Sequence, residues 1–447
     1  MTAPTMDPAA ARRRYARVCV LFWLPLGLTV APAVLLFTER GLTLPAIAGL
    51  IAVHSLTAAA LELPTGGLSD VLGRRPVLAA AGLLNLAALT LQALGATPLL
   101  LGLGAALMGT ARALSSGPAE AWYVDTVQAH SGPGADLRTG LARGASATSA
   151  ALAAGTALGG ALPWLLGRGP DLGEASSGLV LPLSVPLLLG AGVEAAFVLY
   201  VLTALPEPPR PKAALRHVLR DVPATVTAGL RLGGRDVLVR RVFLSAGAAG
   251  SAVAAVELLT PGRAAALTGA SESGAVLFAA LACAGFVCAA LGSHLAPLTA
   301  RFAGGGERAV TVGLGAGACG LLLLGATSAS TGAGPVVLAA LGYGLVHLGL
   351  GSAGPSQNDV LHRRVSAGGR TTALSVQSLA LQLAGALAGL LVGALPPGPL
   401  PWLLGAAVLL AGALPWARRA PQTPPRPHPV PPPTTPVAAT DPAEAGR

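Results

Sequence analysis

The stretch Glu62–Pro76, ELPTGGLSDVLGRRP, sets four charges and three glycines between two long apolar runs. Elsewhere the chain is greasy: 53% of its 447 residues are hydrophobic and 11% charged, against about 25% charged in a soluble chain. Such a deficit points to a bilayer rather than to a larger core. A polar island of this length between apolar runs is then a turn at a membrane face. The glycines supply backbone conformations that other residues resist.

Working outward from this turn, the chain breaks at Gly, Pro and Arg punctuation into runs long enough to cross the hydrocarbon, about 20 residues each. They cover 16–37, 43–63, 76–96, 98–123, 139–166, 179–204, 241–261, 273–297, 309–328, 334–358, 371–394 and 399–416, which makes twelve. The expected fold is therefore all-α, with twelve transmembrane helices.

The net charge of +10 raises nucleic acid as a partner, so the placement of the cations decides the matter. With a cytoplasmic N-terminus, inner segments hold all of the 29 Lys and Arg except Arg40, Arg168, Arg263 and Arg112, the last lying within a span. This is the positive-inside bias. It predicts cytoplasmic N- and C-termini and explains the charge without nucleic acid. Residues 12–33 imitate a secretory signal with a basic start and an Ala-Pro-Ala end, but apolarity runs on to Phe37, and the segment reads as the first retained span. Cys19, Cys283, Cys288 and Cys319 sit in apolar runs and read as small buried hydrophobes, with no disulfide or metal framework.

The organisation follows: a short segment 1–15, a bundle over 16–204, a basic linker over 205–240, a second bundle over 241–417, and a tail 418–447 too rich in Pro to hold a core. The halves echo one another. The fifth span opens on Arg138-Thr139 and carries GTALGG; the eleventh, fifth in its own half, opens on Arg370-Thr371 and carries GALAG. Gly155 with Gly159, beside Gly160, and Gly385 with Gly389 put glycines four apart on one helix face, where backbones approach closely. A parallel repeat of two six-helix bundles is expected.

The opening stretch resembles the signature G-x-L-a-D-r-x-G-r-k of the major facilitator superfamily, found in the same loop. Gly66, Leu68, Asp70, Gly73, Arg74 and Arg75 match, and Val71 replaces a basic residue. Arg112 with Gly117 in GTARALSSGPAEAWYVD is similar to that family's fourth-helix R-x-x-x-x-G. The resemblance implies that Asp70, Arg74 and Asp125 form a latch that holds the turn to its neighbours in the outward-facing state and breaks on opening inward. GTALGG resembles the family's antiporter signature, with Thr156 in place of proline. The second-half loop GSHLAPLTARFAGGGER keeps Gly292 and Arg301 but has Pro297 near the expected Asp, so the first half alone carries the whole latch.

Charges within spans need a reason, because each costs about 2.5–3.5 kcal/mol at mid-bilayer on insertion scales. Arg112 is read either as a structural donor to carbonyls or as a binder of an anionic or proton-carrying group. Glu120 shares its face but lies eight residues on, about 12 Å along the axis, so another helix must supply the partner. Glu62, Glu120, Glu194 and Glu257 are the candidate proton carriers, since burial favours the protonated carboxyl. Glu62 and Glu120 also read as latch or capping groups. Glu257 is preferred, because the resemblance puts the seventh span on the cavity. His54 and His347 are read as relay groups or as histidines satisfied by backbone, and Asn85, Gln92, Gln377 and Gln382 as interhelical contacts or substrate contacts.

No nucleotide-binding G-K-[ST], catalytic triad or metal-ligand cluster stands out. ATP-driven pumping, enzymatic chemistry and a bound cofactor are disfavoured. The expectation is a monomeric secondary transporter in a bacterial plasma membrane that moves a small molecule by alternating access with protons. Export of an amphipathic compound is preferred; uptake of a metabolite by symport and a non-transporting membrane sensor of the same fold are the alternatives.

Overall fold

The computed structural model describes residues 6–417 except Gly67, Pro133, Asp171, 366–369 and most of 208–235. The side chains of Leu63, Pro64, Asp70 and residues 370–372 are likewise outside the description. Most of the expected linker, the whole expected tail and the contacts of Asp70 therefore fall beyond the described residues.

Among those residues, eleven helices are long and apolar enough to cross a membrane, and a bent pair brings the number to twelve. Span 1 is Pro8–Val30 followed by Ala33–Glu39 after a 45° bend; span 2 is Leu44–Gly66 and span 3 Arg74–Leu94. Span 4 comprises Pro98–Ser115 and Pro118–Ser131, span 5 is Arg138–Leu166 and span 6 Val185–Ala204. Spans 7 to 12 are Val237–Thr268, Ser271–Ala303, Gly306–Ala326, Ala333–Arg364, Arg370–Ala394 and Leu400–Ala417.

Several helices depart from the boundaries the sequence suggests. Spans 7, 8 and 10 run straight past Pro261, Pro297 and Pro355. Proline is tolerated inside membrane helices because neighbours and local adjustments satisfy the carbonyl it frees, so these prolines are not stops. Span 4 does break, at Ser116-Gly117. Gly117 has φ 95°, a left-handed conformation that costs glycine nothing, and Pro118 opens the next helix with its preset φ. Span 1 begins at Pro8, capped by Asp7, eight residues before the expected start.

The repeat is written into the packing. In the first half span 1 packs on spans 5 and 6, span 2 on span 4, and span 3 on spans 4 and 6. In the second, span 7 packs on 11 and 12, span 8 on 10, and span 9 on 10 and 12, the same pairs shifted by six. The halves meet along two seams, span 2 on span 11 and span 5 on span 8.

Call the face at which span 1 begins and span 12 ends the terminal end and the other the far end. At the terminal end the first half has its own core of Tyr15, Leu78, Trp122, Tyr123 and Phe197. The core of the second runs its length, from Val242, Val310, Leu361 and Trp416 at the terminal end to Leu324, Ala339 and Trp402 at the far end, where it takes in Ala31 of span 1. At the far end one cluster serves both halves, joining Leu36, Ile47 and Leu101 to Leu258, Ala275 and Val392. The bundles are thus closed on each other at the far end.

Two far-end arginines act at equivalent places. Arg40, just after span 1, donates to the Gly95 and Ala93 carbonyls that end span 3, and also to Leu179 O at 3.2 Å and Ser184 Oγ at 3.3 Å. Arg263, near the end of span 7, donates to the Thr327 carbonyl that ends span 9. The last carbonyls of a helix have no partner within it, and a cation there also meets the negative end of the helix dipole. Arg40 and Arg263 therefore break the charge bias for a structural reason. Arg168 stacks on Trp164 with its guanidinium carbon 3.5 Å from the ring centroid. Cys19 is buried, whereas Cys283 and Cys288 are half-buried and Cys319 is exposed, so the buried reading holds for Cys19 alone.

The glycines on span 5 fit close approaches. A Cβ on Gly155 would lie 2.6 Å from Leu24 O and 2.9 Å from Gly27 Cα, and one on Gly159 2.4 Å from Leu28 O, all on span 1. Gly160 faces the other half: its Cβ would lie 2.4 Å from Ala279 Cβ on span 8. On span 11 a Cβ on Gly385 would come within 3.1 Å of Gly250 O, whereas one on Gly389 would meet Ala254 Cβ at an ordinary 3.9 Å. Gly155→Ala should lower stability by about 1–3 kcal/mol through overpacking, while Gly389→Ala should leave it nearly unchanged. Unfolding midpoints of the two variants in detergent give the comparison.

Candidate transport site

The polar groups between the halves gather near mid-depth. Arg112 is four residues before the break in span 4, and its guanidinium carbon lies 5.1 Å from the centre of the Trp23 ring of span 1. A cation over an indole is favourable by about 0.5–2 kcal/mol, more as water is removed. Arg112 is exposed although it sits inside a span, and among the described residues no carboxylate is within ion-pair distance. Glu62 of span 2 lies within its electrostatic reach, as does His54.

Glu62 crosses the seam. Its Oε2 accepts from Gln382 Nε2 at 2.9 Å and from Ser378 Oγ at 3.2 Å, both on span 11, and Gln382 Nε2 also donates to Ser378 Oγ at 3.1 Å. One turn on, Thr65 Oγ1 donates to Ala113 O of span 4 at 3.1 Å. A carboxylate of one bundle is thereby held by two side chains of the other, next to an arginine of its own. Gln377 stands one position before Ser378 and is half-buried.

Glu257, Cys283 and Tyr343 occupy the second half at one level. They lie ten to twelve residues from the far ends of spans 7, 8 and 10, about 15–18 Å, half the thickness of a hydrocarbon core of about 30 Å. Glu257 is exposed and has no hydrogen-bond or ion-pair partner among the described residues, and it lies within electrostatic reach of Tyr343. The Tyr343 ring stacks on His347 at 4.5 Å between centroids. His347 Nδ1 lies 3.0 Å from the Tyr343 carbonyl and donates to it, which is the backbone-satisfied arrangement rather than a relay.

The remaining candidates lie away from this belt. Glu194 is fully buried between spans 3 and 6, where its Oε1 accepts from Asn85 Nδ2 at 2.5 Å and its Oε2 has no partner among the described residues. Arg112 is not its partner. Gln92 is buried against Met108 Sδ at 3.9 Å. Glu120 lies beyond the break in span 4, on an exposed face near Tyr15 and Cys19 of span 1. The break removes the continuous helix on which Arg112 and Glu120 were expected to share a face.

At the terminal end the signature loop is tied down. Arg74 Nε lies 2.9 Å from Asp125 Oδ2, joining the start of span 3 to span 4. Gly73 has φ 101° and precedes the first turn of span 3. Glu207, three residues past span 6, accepts from the Arg74 N–H at 2.5 Å and the Arg75 N–H at 3.3 Å, so a carboxylate meets two open donors and the positive end of the dipole. A Cβ on Gly73 would lie 2.6 Å from Glu207 Oε1, which accounts for a glycine there on space as well as on φ. In return, the Arg75 and Arg14 guanidiniums donate to the Leu202 and Ala204 carbonyls that end span 6, and Trp122 Nε1 donates to Pro206 O at 3.0 Å.

Sequence reasoning overlooked Glu207. Its signal was an acid flanked by Pro206 and Pro208 at the end of a span, where a helix must stop near the basic loop. It also overlooked Glu307, which opens span 9 and pairs with buried Arg241 of span 7 at 3.1 Å. The second half thus has a terminal-end ion pair of its own, though not on the signature pattern.

The family model of the Major Facilitator Superfamily matches residues 19–389. The chain belongs to this superfamily. Its fold is similar to that of the nucleoside transporter NupG (TM-score 0.70, 14% identity, 91% of this chain and 98% of that one) and of a D-xylose-proton symporter (0.70, 15%, 92% and 98%). It is also similar to a bacterial homolog of the human lysosomal transporter Spinster in an inward-facing, unoccupied conformation (0.67, 15%, 93% and 96%). No curated protein sequence matches the chain. Family and fold make this a membrane transporter, not an enzyme.

Glu207→Ala should release the first turn of span 3. Loss of a helix cap costs about 0.5–2 kcal/mol, so amide exchange at Arg74 to Leu78 should quicken severalfold, with the middle of span 3 unchanged. Hydrogen exchange by mass spectrometry on detergent-solubilised protein reads this directly.

Proposed function

We propose that the protein is a proton-coupled secondary transporter that exports a small molecule across the plasma membrane by alternating access. The observation that carries this reading is the asymmetry of the cores. Apolar residues of both halves merge at the far end and separate at the terminal end, with Arg112, Glu62 and Glu257 at the level between them. Two bundles that hinge along their seams expose that level first to one side and then to the other.

The cationic loops orient the molecule. With the terminal end in the cytoplasm, the arrangement described is the inward-facing one, and both termini and the basic linker are cytoplasmic. The protein works as a monomer, since each six-helix half already supplies one wall of the site. Gly66, Asp70, Gly73, Arg74, Arg75 and Asp125 act as the latch on the signature loop. The Arg74–Asp125 pair joins spans of one half and is intact in the far-end-closed arrangement, so the latch works by keeping the first bundle rigid as it turns. This revises the notion that opening inward breaks the whole cluster. Glu62 and Glu257 are the groups that take part in proton coupling, with Glu194 and Glu120 structural. Thr156, where the antiporter signature has proline, keeps proton-coupled uptake as the second reading.

Inverted vesicles with and without the protein, screened against a compound panel under an imposed pH gradient, test the proposal. Accumulation that collapses with a protonophore is the expected result. Absence of gradient-dependent flux for every compound favours the membrane-sensor alternative. In the same vesicles Asp70→Asn should cut turnover at least tenfold at unchanged protein level, and full turnover in that variant removes the latch assignment.

A further inference from the structure

The two halves differ where the fifth and sixth helices of each meet its first. In the first half Gly155 packs on Gly27, and in the second Gly385 packs on Gly250, contacts that put span 1 in register with span 7. Leu24 and Leu28 of span 1 then correspond to Gly247 and Ser251 of span 7. The smaller side chains leave a trench of about 420 Å³ floored by Gly247 and Ser251, with Ala380 and Ala384 of span 11 on one wall and Val408 and Ala411 of span 12 on the other. Spans 11 and 12 each pack on span 7 and barely touch one another. Leu244, Val408 and Ala411 are exposed, so the trench opens sideways toward lipid. Ala380 and Ala384 stand two positions from Ser378 and Gln382, on the opposite face of span 11, which places the trench behind the seam and apart from the transport level.

The lining and the mouth of the trench say what it holds. The Ser251 hydroxyl already donates to Gly247 O at 3.0 Å and Ala384 O at 3.3 Å. Water needs two or more polar partners, so the trench suits hydrocarbon. Arg240, Leu244, Gly247 and Ser251 follow one another at the spacing i, i+4, i+7, i+11 and so share one stripe of span 7. Arg240 is exposed, and its guanidinium has no partner among the described residues. Asp236, one turn earlier, is taken up in capping the Leu238 and Val239 N–H groups. From Arg240 to Ser251 the stripe rises about 16 Å, which matches one leaflet of a hydrocarbon core about 30 Å thick.

We propose that this trench binds one anionic phospholipid from the leaflet at the terminal end, with an acyl chain lying along Leu244 to Ser251 and the phosphate on Arg240. The apolar walls accept the chain of any phospholipid. The cation at head-group level sets the preference for one of net negative charge. A soluble phosphate ester lacks the chain and so lacks most of the contact. The bound chain does in the second half what Leu24 and Leu28 do in the first: it fills the junction and joins spans 11 and 12, which otherwise meet through span 7.

The full-length protein, delipidated in dodecyl maltoside and titrated with dioleoyl phosphatidylglycerol or dioleoyl phosphatidylcholine, reports bound lipid by native mass spectrometry. One phosphatidylglycerol per chain should be held about fivefold more tightly than phosphatidylcholine, and it should raise the unfolding midpoint where glycerol 3-phosphate does not. Arg240→Gln should bring phosphatidylglycerol down to the level of phosphatidylcholine. Ala411→Phe, on the exposed edge, should weaken both lipids at least fivefold while leaving the midpoint of the lipid-free protein unchanged. Phosphatidylglycerol with a diazirine at mid-chain should label the segments 243–251, 380–384 or 408–412 of the unaltered protein. Labelling confined to other segments overturns the inference without need of a variant. So does equal affinity for the two lipids, a preference that survives Arg240→Gln, or a midpoint raised as much by glycerol 3-phosphate, which would assign the charge to a soluble anion.

Discussion

Hydrocarbon offers no hydrogen-bond partner to a peptide group, and the rest of this structure depends on that constraint. Each crossing is helical so that its N–H and C=O groups satisfy one another. The problem that remains is at helix ends, where several groups on each end are left open. The chain meets it with charged side chains brought from other helices. Arg40 and Arg263 close the last carbonyls of spans 3 and 9, Arg14 and Arg75 those of span 6, and Glu207 the first amides of span 3. Each contact also joins two or more spans, so the groups that satisfy the backbone are the ones that hold a bundle together at its rims.

Between the halves the logic is different. Little charge crosses from one to the other: the Glu62 carboxylate reaches Gln382 and Ser378, Glu39 meets Ser271 at the far end, and the Cys283 thiol donates to Ala153 O. The seams are instead lined by small residues, with Gly160 against Ala275 and Ala279, and Gly393 against Ala48 and Leu44. Smooth close contacts of this kind give attraction through dispersion without bonds that would have to break. Strong rims within each half and a weakly bonded seam between them suit bundles that move as bodies.

Much of this was legible in the sequence because it follows from composition and period. Apolar runs gave the number of crossings, and the matching places of Gly155 and Gly385 indicated the repeat that the packing displays. The signature loop was recognisable from Asp70, Gly73 and Arg74. What escaped was whatever depends on which helices become neighbours. Glu207 is silent in the sequence until span 6 is seen to end beside the start of span 3. Glu62 looked like a capping group because its partners lie more than three hundred residues away. Prolines misled in the opposite direction: Pro261 and Pro297 looked like stops, yet neighbouring helices let spans 7 and 8 continue, whereas Gly117 and Pro118 together broke span 4.

The position of Glu207 has a mechanical consequence. It is the residue from which the chain departs the first bundle toward the second, and its carboxylate is clamped to the root of the signature loop. A pull on the chain at Glu207 is therefore shared between the end of span 6 and the start of span 3, so the first bundle meets it as one body.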